Sequence, residues 1–223
     1  MGNIFKIEKK DKFFLILVCI LSFISIMLIS RYSLNYFPFS GDEYSYIFQS
    51  KIFKTGKLYF ESPKYVDFFE LHHVFDDGKW HSKYPFGWPM ILTLGEYFNI
   101  RWIVNPLIGV ITIVVLFFFC KFMFKKEIAY YSVILLAFSP FFIFNSSSYF
   151  PHPSSLLFSL LFIFFFFLTM RKKEVIYPLA AGLSFATLFF IRPIDSLIIG
   201  ISLGLYSFIT LKINKKSIKK LLF

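Results

Sequence analysis

The chain has 223 residues, 57% of them hydrophobic and 35 of them phenylalanine, with 24 Lys and Arg against 13 Asp and Glu for a net charge of +11. Apolar runs that are hydrophobic on every face exclude an ordinary soluble domain, whose helices keep a polar stripe. The cations are split among short segments between those runs instead of sharing one face, which speaks against nucleic acid as a partner.

Six runs are long enough to cross a hydrocarbon core of about 30 Å: 13–30, 102–120, 128–144, 153–170, 175–191 and 194–211. The expected fold is therefore an all-α polytopic membrane protein. The connections alternate in charge. One side collects Lys6, Lys9, Lys10 and Lys12, then Lys121, Lys125 and Lys126, then Arg171, Lys172 and Lys173, then Lys212, Lys215, Lys216, Lys219 and Lys220. The short connections of the other side, 145–153 and 192–193, hold Arg192 alone. The positive-inside rule makes the basic side cytoplasmic. Both termini are then inside a plasma (inner) membrane, and residues 31–101 form one long extracytoplasmic loop. The chain reads as a single transmembrane domain: a cytoplasmic stretch 1–12, the first span 13–30, the outer loop 31–101, five further spans within 102–211, and a basic cytoplasmic tail 212–223.

The first span has a Lys-rich lead, but Arg31, Tyr32 and Asn35 follow it in place of a small-residue cleavage site, so it reads as a retained anchor. Cys19 and Cys120 both fall inside spans. They cannot form a disulfide framework in the outer loop, and a Cys-based metal site is not expected.

The outer loop is too apolar for disorder and is expected to fold against the membrane surface. Ser40 and Glu43 have capping-box spacing and open a helix expected to end near Thr55-Gly56. Its apolar stripe is Tyr44, Ile47 and Phe48, set against Gln49, Ser50 and Lys54. A second helix over 89–98 spans only about 15 Å and is expected at the interface. Trp80, Tyr84, Trp88 and Tyr97 suit a belt at headgroup level. Between the helices, Asp76-Asp77-Gly78-Lys79 is expected to turn a hairpin joining Val74-Phe75 to Trp80-His81.

Four pieces of sequence then stand out in order: Gly41-Asp42-Glu43-Tyr44-Ser45-Tyr46; Ser82-Lys83-Tyr84-Pro85-Phe86-Gly87-Trp88-Pro89; the outer turn Tyr149-Phe150-Pro151-His152-Pro153; and Gly182 through Phe190-Ile191-Arg192-Pro193. With this layout the chain resembles the C-type (GT-C) membrane glycosyltransferases, in the branch of the protein O-mannosyltransferases and lipid A aminoarabinose transferases. The resemblance implies transfer of a sugar from a polyprenyl-phosphate donor to a lipid, glycan or protein acceptor on the outer side, by inverting displacement. It places the activating base at Asp42; no cofactor is expected, and a divalent metal has no support in the sequence. Members of that family continue through further spans, so this chain is expected to correspond to the N-terminal portion, with the remaining spans in a longer polypeptide or a second chain.

The chemistry needs a carboxylate to take the acceptor proton, cations for the leaving phosphate, and a water-poor cleft. Asp42 and Glu43 supply carboxylates, and Arg192, Lys83 and His152 are candidates for the donor phosphate. Each has a plainer reading. Glu43 completes the capping box, and both acids suit a helix N-terminus. Arg192 can pair with Asp195 or snorkel to the interface, Lys83 is one of several loop lysines, and His152 can be an interfacial histidine held between prolines. His72, His73, Asp76, Asp77 and His81 match no closed zinc pattern, so no metal is expected. Two other functions remain open: a non-catalytic truncated homologue that binds carrier lipid or assists assembly, and a transporter. The transporter is disfavoured because the ionisable residues gather at the outer edge instead of the midplane.

Overall fold

The computed structural model describes residues 7–65, 68 and 73–213. The basic tail beyond 213, and His72, lie outside the described residues.

The first helix, α1 (Lys9–Leu28), runs into a π-helical turn at Ile29–Ser33. The outer segment follows: α2 (Gly41–Lys54), β1 (Phe60–Glu61), β2 (Val74–Asp76), β3 (Lys79–Ser82) and α3 (Gly87–Tyr97). A 3₁₀ turn at Arg101–Ile103 leads into α4 (Val104–Met123), then come α5 (Lys126–Ala137), α6 (Pro140–Ser147), α7 (His152–Arg171), α8 (Ile176–Ile191) and α9 (Pro193–Ile213).

Four helical segments are long and apolar enough to cross a membrane: Lys9–Ser33, Arg101–Met123, His152–Arg171 and Pro193–Thr210. The expected span 128–144 is instead two helices, α5 and α6, bent by 57°. Pro140 is the cause, since it opens α6 at a position where the missing N–H costs nothing and holds Ser139 in the extended region, at ψ 123°. The expected span 175–191 is a helix of 16 residues, about 24 Å at 1.5 Å per residue, and so falls short of a full crossing on length. By length and composition, four described helical segments suffice for a crossing, five if the bent pair is one span, and α8 is a shorter apolar helix beside the six expected runs.

The outer segment keeps the expected helices and hairpin. β3 is the central strand, antiparallel to both β1 and β2, with Asp76 opposite Trp80 and the turn made by Gly78 at φ 89°. Such a backbone angle suits glycine. The polar face of α2 departs from expectation. Gln49 and Ser50 are buried while Tyr44 is exposed. Gln49 is buried because it is satisfied: its Nε2 donates to the Leu58 carbonyl at 2.9 Å and its Oε1 accepts from the Ser82 amide at 2.9 Å, tying α2 to the hairpin.

Two buried clusters organise the molecule. One lies among the spans and joins Leu15, Val18 and Ile26 of α1 to Ile113 and Phe117 of α4, Val133 of α5 and Phe142 of α6. The other joins the outer segment to the spans through Tyr46, Ile47, Trp88, Leu92, Ile108, Tyr149, Leu157 and Ile191. Trp88 belongs to this second cluster and not to a headgroup belt: it is 1% exposed and its Nε1 donates to the Tyr149 carbonyl at 2.8 Å. Burying an indole requires such a partner. Gly87, just before it, lets α3 rest on the end of α8, since a Cβ there would come within 2.6 Å of the Phe190 carbonyl. That backbone-to-backbone contact sets Arg192 beside the outer segment.

At the opposite end of the bundle, Asp11 is fully buried at the start of α1. Lys126 reaches it at 2.8 Å and Lys121 at 3.9 Å, Tyr130 donates a hydrogen bond to it, and Lys126 also pairs with Glu8 at 2.9 Å.

Candidate active site

The site is built from the N-terminus of α2, the segment leaving β3, the turn between α6 and α7, and the junction of α8 with α9. The start of α2 is fixed by the capping box read from sequence, with the Glu43 amide donating to Ser40 Oγ at 3.3 Å and Glu43 Oε2 accepting from the Ser40 amide at 3.2 Å. Glu43 does more than cap. Its Oε2 also accepts from the Phe39 amide at 2.9 Å, and its Oε1 accepts from the Tyr149 amide at 2.6 Å. The side chain is completely buried. Burial pushes its carboxyl above the ordinary carboxylate range, and the amides of Tyr149, Phe39 and Ser40 pull it back. Both oxygens are thus occupied by backbone donors, so Glu43 bolts α2 to the α6–α7 turn.

Asp42 is placed differently. Its side chain is 38% exposed, Tyr84 donates a hydrogen bond to its Oδ1, and His73 Nε2 lies 3.4 Å from the same oxygen. Its Oδ2 takes no hydrogen bond from the described residues. Tyr84 packs on Tyr46, one helical turn along α2 from Asp42, with ring centroids 4.8 Å apart. Burial, then Asp42, raises the Tyr46 phenol, and Arg192 opposes the shift. Tyr46 therefore lies within the fields of both Asp42 and Arg192. At His152 the same charges meet again, since Arg192, Asp195 and Asp42 all act on its ring. Asp42, His152 and Arg192 are far apart in sequence, but the elements that carry them share one buried cluster, through Tyr46 and Ile47 of α2, Tyr149 before α7, Leu157 of α7 and Ile191 at the end of α8.

The cations differ in how free they are. Arg192 Nε pairs with Asp195 Oδ2 at 3.2 Å, the alternative foreseen from the spacing, and that oxygen also accepts from Ser155 Oγ at 2.9 Å. The two Nη groups have no protein partner among the described residues. His152 rests its ring edge-on to Phe150, with centroids 5.3 Å apart, and its buried Nδ1 has no hydrogen-bond partner among the described residues. Lys83 is exposed, with its ammonium 5.2 Å from the Tyr84 ring centroid. With Gln49, His81, Tyr84, Phe86 and Met90 it borders a cavity of about 710 Å³. Among the described residues no group of three or more His, Cys, Asp or Glu could hold a metal ion.

Tyr46 and Tyr84 stand beside the candidate residues and were not singled out for chemistry by sequence reasoning, whereas Asp195 was named as the partner of Arg192. Tyr46 carried a signal, since a residue four positions after Asp42 shares its helix face. Tyr84 was hidden by the aromatic-belt reading. His73 entered only as part of a metal pattern, and nothing local in the sequence pairs it with Asp42.

The family model for dolichyl-phosphate-mannose-protein mannosyltransferases matches residues 91–223. The chain belongs to that family. No curated protein and no solved structure matches it. The matched region holds α4 to α9 with His152 and Arg192, while Asp42, Glu43 and Lys83 precede it. The apolar helices agree with a membrane glycosyltransferase of the GT-C class.

Proposed function

We propose that this chain takes part in transfer of a sugar from a polyprenyl-phosphate donor to a hydroxyl acceptor at the extracytoplasmic face, with Asp42 as the general base of an inverting displacement. The observation that carries the reading is the state of Asp42: a half-exposed carboxylate with one oxygen anchored and the other open, in a region that it shares with Arg192 and His152. The acceptor oxygen attacks the anomeric carbon as its proton passes to Asp42, and the bond from that carbon to the phosphate oxygen breaks. The phosphate leaves with the electron pair. Arg192 offers two Nη groups to the phosphate oxygens, a fit for a planar fork, and His152 can donate a hydrogen bond beside them.

Glu43 has both oxygens engaged by backbone amides, which supports a part in holding Asp42 in place over a part as base. Lys83 lies against the Tyr84 ring and borders the neighbouring cavity. Its charge suits the approach of an anionic lipid headgroup more than contact with the reacting phosphate. The loop that carries Asp42 faces outward in this reading, with the N-terminus in the cytoplasm of a plasma-membrane protein.

The test uses membranes containing the full chain and radiolabelled polyprenyl-phosphate mannose, the donor suggested by the family description. Asp42→Asn keeps size and a helix-start side chain but removes the base, so transfer is expected to fall by about 10²-fold or more. Unchanged transfer by that variant would overturn the reading.

A further inference from the structure

The base assignment leaves His73, Tyr84 and the hairpin without a role, yet they meet on one atom. Tyr84 donates to Asp42 Oδ1, His73 Nε2 lies 3.4 Å from the same Oδ1, and His73 Nδ1 is 3.3 Å from the Tyr84 hydroxyl. These contacts close a triangle of carboxylate, phenol and imidazole with Oδ1 at one corner.

We propose that His73 and Tyr84 are a positioning pair that locks Oδ1 of Asp42 and thereby presents Oδ2 to the acceptor hydroxyl. The inference rests on Asp42 being the base and adds the residues that aim it. A carboxylate 38% exposed on the first turn of a helix would otherwise rotate between rotamers, and a base must sit within hydrogen-bond reach of the proton it takes. The Tyr84 hydrogen bond and the imidazole set beside the same oxygen restrict that freedom, and among the described residues the second oxygen takes no hydrogen bond.

The surroundings favour the same geometry. The His73 carbonyl accepts from Ser45 Oγ at 2.6 Å and from the Lys83 amide at 3.2 Å, so the backbone behind the imidazole is fixed both to α2 and to the segment leaving β3. Ser45 Oγ is also 2.7 Å from Ser82 Oγ, which accepts from the Tyr84 amide at 3.1 Å. The arms that carry the imidazole and the phenol are therefore hydrogen-bonded to a single serine three residues after Asp42. Gly41 completes the fit. A Cβ at Gly41 would meet His73 Cδ2 at 2.6 Å, so only glycine lets the ring lie against the start of α2. Tyr84 remains a donor because burial, together with the adjacent Asp42, raises its phenol.

The pair also divides the labour of the imidazole. A neutral histidine has one N–H, so it can donate to Asp42 through Nε2 or to the Tyr84 oxygen through Nδ1, but not to both. Tyr84 is then the constant donor to Oδ1 and His73 the adjustable one.

The experiment measures donor turnover by the full chain in membranes for Tyr84→Phe, His73→Ala, His73→Gln and Gly41→Ala. Tyr84→Phe and His73→Ala are expected to lower kcat about tenfold with donor KM within about twofold, because positioning of the base acts on the chemical step and not on donor binding. His73→Gln, whose amide can donate to Oδ1, is expected to recover part of the loss. Gly41→Ala, which pushes the intact ring away, is expected to resemble His73→Ala. In an Asp42→Asn background none of the four should lower turnover further, since no base remains to be aimed. Normal kcat in Tyr84→Phe and His73→Ala alongside an inactive Asp42→Asn would overturn the positioning pair and leave the base assignment standing, whereas full activity in Asp42→Asn would remove both. Where turnover is too low to follow, a double-mutant cycle of Asp42→Asn with Tyr84→Phe on the melting temperature of the purified chain gives a second readout. Strict additivity there would overturn the pair.

Discussion

The two ends of the bundle each hold an aspartate that accepts a hydrogen bond from a tyrosine, and they use it in opposite ways. Asp11 is fully buried and met by Lys126 at 2.8 Å, with Lys121 at 3.9 Å, so its charge is consumed by lysines on α4 and α5. Among the described residues Asp42 has no lysine or arginine in contact; its partners there are a phenol and an imidazole, and one oxygen takes no hydrogen bond. A carboxylate matched by cations is a fastener. In the proposed reading the same residue type is structural at one end and chemical at the other because of its partners.

The coarsest way to break this comparison is to show that the two ends do not face opposite sides of the membrane. With Cys19 and Cys120 replaced by alanine, Asp77→Cys at the hairpin tip is expected to react with an impermeant thiol reagent added outside, and Lys173→Cys between α7 and α8 only after the cytoplasmic side is opened. Labelling of both from one side would dissolve the comparison and the base assignment with it.

Next in size is an exchange of effects between the two aspartates. Lys126→Met leaves the buried Asp11 with only the more distant Lys121. It is expected to lower the melting temperature while the molecules that stay folded keep their transfer rate. Asp42→Asn should do the reverse, with a loss of about 10²-fold or more in transfer at an unchanged melting temperature. If both variants lose stability and activity together, the division into fastener and base fails.

Arg192→Lys sharpens the outer end. The ammonium keeps a charge near Asp195 but has no planar fork, so donor KM is expected to rise by about tenfold with little change in expression. The smallest effect belongs to the joint between the outer segment and the spans. Trp88→Phe leaves the Tyr149 carbonyl without its donor and should cost about 1–3 kcal/mol of stability, read as a lower melting temperature. Because Tyr149 also donates its amide to Glu43, Glu43→Gln is expected to weaken the same joint and to reduce transfer less than Asp42→Asn does.

The charge alternation and the capping box were legible because both are local. A run of apolar residues must be satisfied within its own helix, and Ser40 with Glu43 needs only each other. Pro140 was equally local, but hydropathy averaged over it and joined α5 to α6 as one span. The double role of Glu43 was half legible. The cap could be read three residues back, whereas the bond to Tyr149 spans 106 positions.

By itself the sequence determined the class of the molecule, an all-α membrane protein with a folded segment between its first two long helices, because hydrophobic length and the helix-start signals are properties of contiguous residues. It also supplied the candidate residues for chemistry. Only the tertiary structure gave them their partners. It set Glu43 against backbone amides, turned Trp88 inward, paired Arg192 with Asp195 through Nε alone, and brought His73 and Tyr84 onto one oxygen of Asp42. The physical reason is that the identity of a side chain fixes what it can donate or accept, while its partners come from elements far along the chain, and those partners decide which capacity is left unspent.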